Sequence, residues 1–415
     1  MMLIRKGLAL GMMVAVTGLV VFGHTALSQG SPQIFWGRSV ANKQEQQQPR
    51  VEVVFCLDTT GSMNGLIDGA KQKIWSMCNK IAGGQPRPQV KVGLVAYRDR
   101  GDEYVTKTFD LSEDLDEVHS HLLRFEAAGG GDEPESVNEA LFVALNNISW
   151  SQESNVLRII YLVGDAPPHM DYPNDITYKT TCKRACDKGI IINTIQCGNI
   201  QATTPFWREI AEKSQGRFVQ IAQDGGVITV CTPYDQRLAA INGQLAQSSV
   251  CYGDAPTQAQ AAAKAQIAAM PMAVPSAPTI TSGSGTYTLT APLGNPPAPE
   301  CVTAAADRAG YNAKVGQVGA WDLIDNIKAG NVKLETLKTE ELPEPMQKMT
   351  LAERKAHLAK VEGERSKLQA EALDLDRKRS DYLNAEMNKN GAQAGFDAQV
   401  MEMLREQAKS VNIRY

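Results

Sequence analysis

Three oxygen-bearing side chains alternate along a short polar segment, DTTGSM, that begins where the apolar run VEVVFCL ends. Asp58, Thr60 and Ser62 stand at positions i, i+2 and i+4 of this segment. A tight loop with that alternation can turn all three side chains toward one point. Because carboxylate and hydroxyl oxygens suit hard cations such as Mg²⁺, Mn²⁺ or Ca²⁺, the spacing predicts a divalent-cation site directly after a buried strand.

Two further segments could bring carboxylates to the same place. Asp165 ends the apolar run VLRIIYLVGD, and Asp132 lies in GGGDEPE, ahead of a helical pattern. The glycines permit an irregular backbone, and Pro134 suits the first turn of a helix. An aspartate after a strand is often only a helix cap or a turn residue. The repetition of such side chains at successive strand ends nevertheless favours one shared site.

The order of apolar runs and helical spacings predicts the elements that bring these loops together. Runs typical of strands lie at 51–58, 90–97, 103–109, 156–165, 189–197 and 217–222. Helical spacings lie at 63–81, 114–125, 134–148, 176–188 and 204–213. Strands that alternate with helices of this length imply an α/β fold whose mainly parallel sheet is covered on both faces. Sites in such sheets lie beyond the carboxyl ends of the strands, where all three polar loops are expected.

The segment DTTGSM after a buried first strand resembles the metal-ion-dependent adhesion site of von Willebrand factor type A domains, whose pattern is Asp-x-Ser/Thr-x-Ser. Together with VAYRD (95–99), GGGDEPE (129–135) and GDAPPH (164–169) it resembles the bacterial and alpha-kinase-linked branch of these domains. The resemblance covers about residues 50–225 and implies a Rossmann-like, doubly wound, mostly parallel sheet. It also implies that the loop-one ligands are Asp58, Thr60 and Ser62, and that Asp165 is the loop-three ligand, directly or through water.

The second loop departs from the family pattern, because Asp132 stands where the family normally offers a threonine. Three carboxylates would more than neutralise a divalent cation. An adhesion-type site leaves its cation electron-poor, so that a carboxylate of the partner completes the shell. A third aspartate therefore predicts tighter metal binding and weaker attraction for an acidic ligand, and a stabilising metal with water in the open position is the alternative. Mg²⁺ is the expected ion, with Mn²⁺ and Ca²⁺ as alternatives.

Smaller signals surround this site. Arg98 and Asp99 close the second strand, where they form either a supporting pair near the site or an ordinary loop salt bridge. His169 follows two prolines and is interpreted as positioning its loop, with a ligand or a base as the alternative. Glu133 and Glu135 are interpreted as charges at the N-terminus of a helix.

The first residues are typical of a secretory signal peptide. Arg5 and Lys6 precede the apolar run 7–23, and the small residues Ala26 and Ser28 follow it. An uncleaved N-terminal anchor is the alternative. We therefore expect a periplasmic, secreted or anchored protein. Composition predicts a signal peptide or anchor at 1–28, a polar linker at 29–49, the type A domain with a trailing helix at 50–252, an Ala/Pro-rich linker at 253–303 and a helical or coiled-coil region at 304–415.

The last of these regions carries apolar residues at three- and four-residue steps, which is typical of a coiled coil or a helical hairpin. The seam residues are Leu351, Leu358, Val361, Leu368, Ala372, Leu375 and Tyr382. Arg365 and Arg379 also occupy seam positions, and Gly363 interrupts the seam, which argues against a long zipper. Self-association through these helices, or binding of a second partner, is the predicted role.

Composition and absent motifs narrow the function. The 415 residues contain 42 Lys plus Arg and 46 Asp plus Glu, a net charge of −4 that argues against a protein built to hold nucleic acid. The sequence has no Walker-type loop, Gly-x-Ser-x-Gly elbow or HExxH helix. We predict a non-enzymatic exported protein that docks a protein partner through its cation. The alternatives are a structural envelope protein, in which the metal only stabilises the fold, and a metal-assisted hydrolase using Asp58 and Asp165.

Overall fold

A six-stranded sheet organises the first half of the described chain. The computed structural model describes residues 48–226, 230–269, 280–282, 285–287, 299–390 and 396–415. The strands are β1 (Arg50–Asp58), β2 (Gln89–Tyr97), β3 (Thr106–Ser112), β4 (Val156–Gly164), β5 (Ile190–Cys197) and β6 (Phe218–Ile221), and β7 (Ile280–Ser282) and β8 (Gly285–Tyr287) form a separate antiparallel pair. The order across the large sheet is β3-β2-β1-β4-β5-β6, with β3 antiparallel to β2 and the other neighbours parallel.

Helices alternate with these strands and then continue alone. Those within the sheet region are α1 (Asn64–Ile81), α2 (Leu115–Leu123), α3 (Val137–Asn146), α4 (Tyr178–Asp187) and α5 (Thr203–Lys213). Those that follow are α6 (Asp235–Gln247), α7 (Ala255–Ala269), α8 (Pro299–Val315), α9 (Leu323–Lys328), α10 (Glu344–Gln347), α11 (Leu351–Asn390) and α12 (Phe396–Gln407). Short 3₁₀ turns lie at Gly61–Met63, Leu334–Thr336, Thr339–Glu341 and Ala408–Val411.

Both faces of the central strand β1 are buried. Because successive side chains of a strand point to opposite faces, Val53 and Phe55 join a core with α1, α2 and α12, whereas Val54 and Cys56 join a core with α3, α4 and α5. Burial on both sides explains why β1 is apolar almost throughout. The predicted α/β class, a doubly wound, Rossmann-like and mostly parallel sheet followed by a helical C-terminal region, is confirmed.

The third strand begins three residues later than the sequence predicts. Residues 103–105 belong to the turn that leads from β2 to β3. At the end of this turn, the carbonyl oxygen of Val105 accepts a hydrogen bond from the backbone N–H of Arg98 at 3.0 Å. The antiparallel ladder then starts at Thr106, which pairs with Tyr97. The apolar content of EYVTKTF gives no signal for this turn.

The predicted coiled-coil seam packs against helices of the same chain. Leu368, Ala372 and Leu375 of α11 lie in a cluster with residues of α6 and α8, and Leu358 and Val361 lie in a second cluster. The partners in the first cluster include Leu238, Ile241, Leu245, Ala306 and Ala309. Most of the apolar side of α11 is therefore covered within the chain.

The two arginines of the seam are buried in ion pairs. Arg365 donates from its guanidinium to both carboxylate oxygens of Asp322, at 2.8 and 2.7 Å. Arg379 pairs with Asp235 on α6 and Asp307 on α8. A buried charge is tolerated at each of these seam positions because an aspartate on a neighbouring element neutralises it.

The C-terminal residues complete the core of the sheet. Phe396 at the start of α12 is fully buried, and its ring centre lies 6.1 Å from that of Phe55 on β1. The hydroxyl of Tyr161 on β4 donates to the carbonyl oxygen of Val400 at 3.1 Å. Further along, Arg414 forms a backbone bridge with Gln85, in which each N–H donates to the other carbonyl oxygen. The last residues are thus part of the same packed unit as β1 and β4.

Some predicted segments lie outside the described residues. These are the signal peptide or anchor at 1–28, residues 29–47 of the polar linker and most of 270–298 in the Ala/Pro-rich linker. Among the helices that the structure describes, none combines the length and apolar content that crossing a membrane requires.

Candidate metal centre

Asp58 lies at the carboxyl end of β1 and is fully buried. Its Oδ1 accepts hydrogen bonds from the backbone N–H of Thr60 at 2.9 Å and from the Thr60 hydroxyl at 2.6 Å. Its Oδ2 is buried and has no hydrogen-bond partner among the described residues. A buried carboxylate oxygen without a donor is costly, so this atom is suited to a cation.

The alternating loop turns its hydroxyl groups to the same side. Thr60 Oγ1 lies 3.5 Å from Ser62 Oγ, because the 3₁₀ turn at Gly61–Met63 curls the chain directly after the strand. Thr60 is buried, whereas Ser62 is exposed. The three predicted loop-one ligands are therefore brought together, with Ser62 on the solvent side.

Asp165 stands beside them, because β4 is the parallel neighbour of β1 and Asp165 follows its last residue. Asp165 is buried, and its Oδ2 accepts a hydrogen bond from Nε2 of Gln223, a residue that follows β6, at 2.7 Å. Gly164 makes the approach of the two aspartates feasible. A Cβ atom on Gly164 would lie 2.5 Å from the Tyr97 hydroxyl and 3.0 Å from Asp58 Oδ2, so a larger residue would displace the Asp58 carboxylate.

The second loop places two carboxylates in different surroundings. The Asp132 side chain is 61% exposed, and its Oδ2 lies 3.7 Å from Nε2 of His169. Glu135 is buried, and its Oε2 has no hydrogen-bond partner among the described residues. The space beside Gly130 is bordered by Glu135 Oε1 and the side chain of Thr60. Glu135, which the sequence predicts as a charge at a helix N-terminus, is thus the buried carboxylate of the second loop and borders the same space as the Thr60 side chain.

A local departure from helix explains why Glu135 turns inward. The predicted helix from residue 134 begins only at Val137, because Glu135 forms a backbone bridge with the loop after β4. Its N–H donates to Pro167 O at 2.9 Å, and its carbonyl oxygen accepts from the N–H of His169 at 3.0 Å. Pro134 and the acidic residues around it predict a helix that starts at residue 134. The observed start at Val137 depends on the long-range bridge, which the local sequence does not indicate.

Arg98 and Asp99 support the site separately. The Arg98 guanidinium is buried and donates to the carbonyl oxygens of Thr59, at 3.1 Å, and Glu126, at 2.8 Å. Asp99 accepts from the Ser136 hydroxyl at 2.8 Å. Each residue ties the loop after β2 to another loop of the site.

Burial disfavours the charged form of two carboxyl groups. Burial raises the pKa of Asp58 to about 7; the Thr60 hydrogen bond opposes this rise and the charge of Asp165 adds to it. Burial also raises the pKa of Glu135 to about 9, with Asp58 and Asp99 adding to the effect. A bound cation would supply the missing positive charge and displace these protons.

Without divalent cations, we expect the protein to lose stability as the pH rises from about 5 to 9. The pKa of Glu135 is about 9 in the folded chain against 4.5 ordinarily, and that of Asp58 is about 7 against 3.8. At a pH between the ordinary and the raised pKa of either group, the folded chain binds more protons than the unfolded chain. The free energy of unfolding therefore falls as the pH rises. Thermal melts in EDTA across this range measure the effect.

Glu135→Gln should flatten the upper half of that profile, because glutamine does not titrate. Asp68→Asn, an exposed position on α1, serves as the matched control and should leave the profile unchanged. A profile that is flat or rises in the unsubstituted protein would contradict the assignment of both raised pKa values.

Comparisons with known proteins agree with this architecture. Residues 52–232 match the family model of the von Willebrand factor A domain. A human relative, von Willebrand factor A domain-containing protein 7, is 30% identical over 204 residues, 47% of this chain and 21% of the human protein. The chain therefore spans about one fifth of the length of that relative.

Solved structures also align with part of this chain. The SpRpn10 VWA domain aligns at 16% identity and a TM-score of 0.33, over 42% of this chain and 89% of that chain. Proximal thread matrix protein 1 from the mussel byssus, with a zinc-occupied MIDAS motif, aligns at 15% identity and a TM-score of 0.33, over 43% of each chain. Residues 52–232, which contain nearly all of the sheet and all the loops of the candidate site, are thus similar to von Willebrand factor A domains.

Proposed function

We propose that this domain holds a divalent cation through Asp58, Thr60, Ser62 and Asp165, and that the cation and the surrounding sheet edge dock a protein partner. The observation that carries the proposal is Asp58 Oδ2, a buried carboxylate oxygen without a donor at the end of the central strand. The hydroxyl groups of Thr60 and Ser62 and the carboxylate of Asp165 lie at the same edge of the sheet. Mg²⁺ is the ion we expect, because all these donors are oxygen atoms, and Mn²⁺ and Ca²⁺ are the alternatives.

We further propose that Glu135 supplies the carboxylate of the second loop. The place of Asp132 in this shell stays a prediction, since its carboxylate is exposed and lies beside His169. Glu135 is buried next to Thr60, and its raised pKa means that it binds the cation in competition with a proton. A third carboxylate would weaken the pull of the cation on an acidic partner, so water in the open position is the expected resting arrangement.

The rest of the proposal concerns the setting of the domain. We propose a non-enzymatic, extracytoplasmic binding protein, because the sequence lacks catalytic motifs and residues 1–28 are typical of a secretory signal. Assembly through the C-terminal helices stays a prediction. It would use surfaces other than the seam of α11, which packs on α6 and α8.

The test is a thermal melt of the full chain in EDTA, Mg²⁺, Mn²⁺ and Ca²⁺. A cation that binds only the folded state adds about 2.7 kcal/mol of stability at one hundred times its Kd. This gain should disappear in Asp58→Ala/Ser62→Ala. Asp68→Ala, on an exposed position of α1, is the control and should keep the full gain.

Partner capture with and without the effective cation separates docking from structural support. Cation-dependent capture that the double variant loses supports the binding module. A cation-dependent melt with cation-independent capture favours the structural alternative instead. If no cation raises the melting temperature, the cation-dependent proposal is wrong.

A further inference from the structure

A second group of side chains that could bind a metal, Asp99, Asp132 and His169, includes a residue of the loop after β4. The His169 side chain is only 6% exposed, and its Nε2 has no hydrogen-bond partner among the described residues. That nitrogen lies 3.4 Å from Oδ2 of Asp99 and 3.7 Å from Oδ2 of Asp132. The three ligand atoms all lie within 4.8 Å of one another.

The other ring nitrogen of His169 fixes the tautomer. Nδ1 lies 2.8 Å from Oδ1 of Asp171. An ionised carboxylate only accepts hydrogen bonds, so Nδ1 carries a proton and Nε2 is the ring nitrogen available to a metal beside Asp99 and Asp132. Histidines that bind metals commonly donate their second nitrogen to a carboxylate in this way.

The spacing of the ligand atoms fits a tetrahedral metal ion. Ligands held about 2.0–2.2 Å from zinc at tetrahedral angles lie about 3.3–3.6 Å from one another. The distances from His169 Nε2 to Asp99 and Asp132, 3.4 and 3.7 Å, need almost no adjustment. Because the Asp132 side chain is exposed, it can close the remaining gap.

Neighbouring residues hold Asp99 and His169 in place before any metal binds. The Tyr172 hydroxyl donates to Asp99 Oδ2 at 2.7 Å, and the Tyr172 ring stacks on the imidazole at a centre distance of 4.1 Å. The Asn138 amide donates to the backbone carbonyl oxygen of His169 at 2.6 Å. Two of the three ligands therefore lose little freedom on binding.

We propose that Asp99, Asp132 and His169 bind a transition-metal ion, with Zn²⁺ as the expected ion and water as its fourth ligand. One imidazole and two carboxylates favour such an ion over Mg²⁺, for which six oxygen ligands are typical. This site is distinct from the all-oxygen site at Asp58. It assigns Asp132 to the second metal, and Asp171 is a positioning residue for His169.

The experiment titrates the full chain with Zn²⁺ by calorimetry, with Mg²⁺ in excess so that the Asp58 site is filled. We expect one zinc per chain, with affinity lowered at least tenfold in His169→Ala and in Asp132→Asn. Asp171→Asn should lower the affinity about 10–100-fold, as loss of a carboxylate behind a ligating histidine does. His357→Ala on α11 is the control and should bind zinc as the unsubstituted chain does.

Further variants and a second metal distinguish binding at this site from binding at the Asp58 site and from a folding defect. Asp58→Ala/Ser62→Ala should still bind zinc, so failure of the Asp58 proposal leaves this result intact. Asp132→Asn alters an exposed side chain and reports on the site even where His169→Ala folds poorly. Co²⁺ in place of zinc should show the strong visible absorption of a tetrahedral centre. Equal zinc affinity in Asp132→Asn and the unsubstituted chain, or zinc binding lost only in the Asp58 variant, overturns the proposal.

Discussion

Phe396→Ala is expected to lower the free energy of unfolding by about 3–5 kcal/mol, the usual cost of emptying a buried phenylalanine site. The substitution lies in α12, but the lost stability should include that of the sheet. Phe396 is fully buried and packs on Phe55, and the same cluster contains Ile159 and Tyr161 of β4. Removing the ring therefore leaves a cavity against the central strands.

Urea unfolding followed by the fluorescence of the buried Trp75 and Trp207 measures this loss. Leu373→Ala is the matched control, because Leu373 lies on the neighbouring helix α11 and is 42% exposed; its cost should stay within about 0.5 kcal/mol. The sheet and the helical region should unfold in one transition. A sheet transition that Phe396→Ala leaves unchanged would show that α12 is not part of the sheet core.

Arg365→Ala is expected to cost a similar 3–5 kcal/mol, because it leaves the buried Asp322 carboxylate without its counter-charge. Both side chains are almost completely buried, and Arg365 also donates to the Ser248 hydroxyl at 2.9 Å. The Asp322 carboxylate accepts from the backbone N–H of Val250 at 2.7 Å as well, so it links α11 to the segment after α6.

The same unfolding assay tests the pair, with two comparison variants. Arg237→Ala breaks a pair with Glu371 in which both side chains are more than 40% exposed, and it should cost at most about 1 kcal/mol. Arg365→Met/Asp322→Asn should recover part of the loss, because it removes the uncompensated charge. If Arg365→Ala costs no more than Arg237→Ala, the buried pair does not support the helical region.

The sequence allowed the sheet to be predicted because burial on two faces leaves continuous apolar runs, and the runs at β1, β4 and β5 are unambiguous. It also allowed the grouping of Asp58, Thr60, Ser62 and Asp165, since parallel strands bring their carboxyl ends to one edge. These inferences depend only on local pattern and on the general geometry of parallel sheets.

The inward turn of Glu135 could not be predicted in the same way. It depends on a backbone bridge to Pro168, more than thirty residues away, and the helix-start signals around Pro134 point elsewhere. The pairing of Arg365 with Asp322 could not be predicted either. A charge at a seam position indicates only a weak coiled coil, because the sequence does not show which residue faces it. His169 gave no spacing signal either, because its neighbours Asp99 and Asp132 come from different loops.

The closure of the sheet core by α12 has a consequence for biosynthesis. The last strand of the six-stranded sheet ends at Ile221 and α12 begins at Phe396, so the ribosome adds about 175 residues between them. At about 5–20 residues per second this takes roughly 9–35 s. Throughout that interval the nascent sheet lacks one of its covering helices, and Phe55 and Tyr161 remain accessible. We therefore expect the emerging chain to need a chaperone until α12 has been translated.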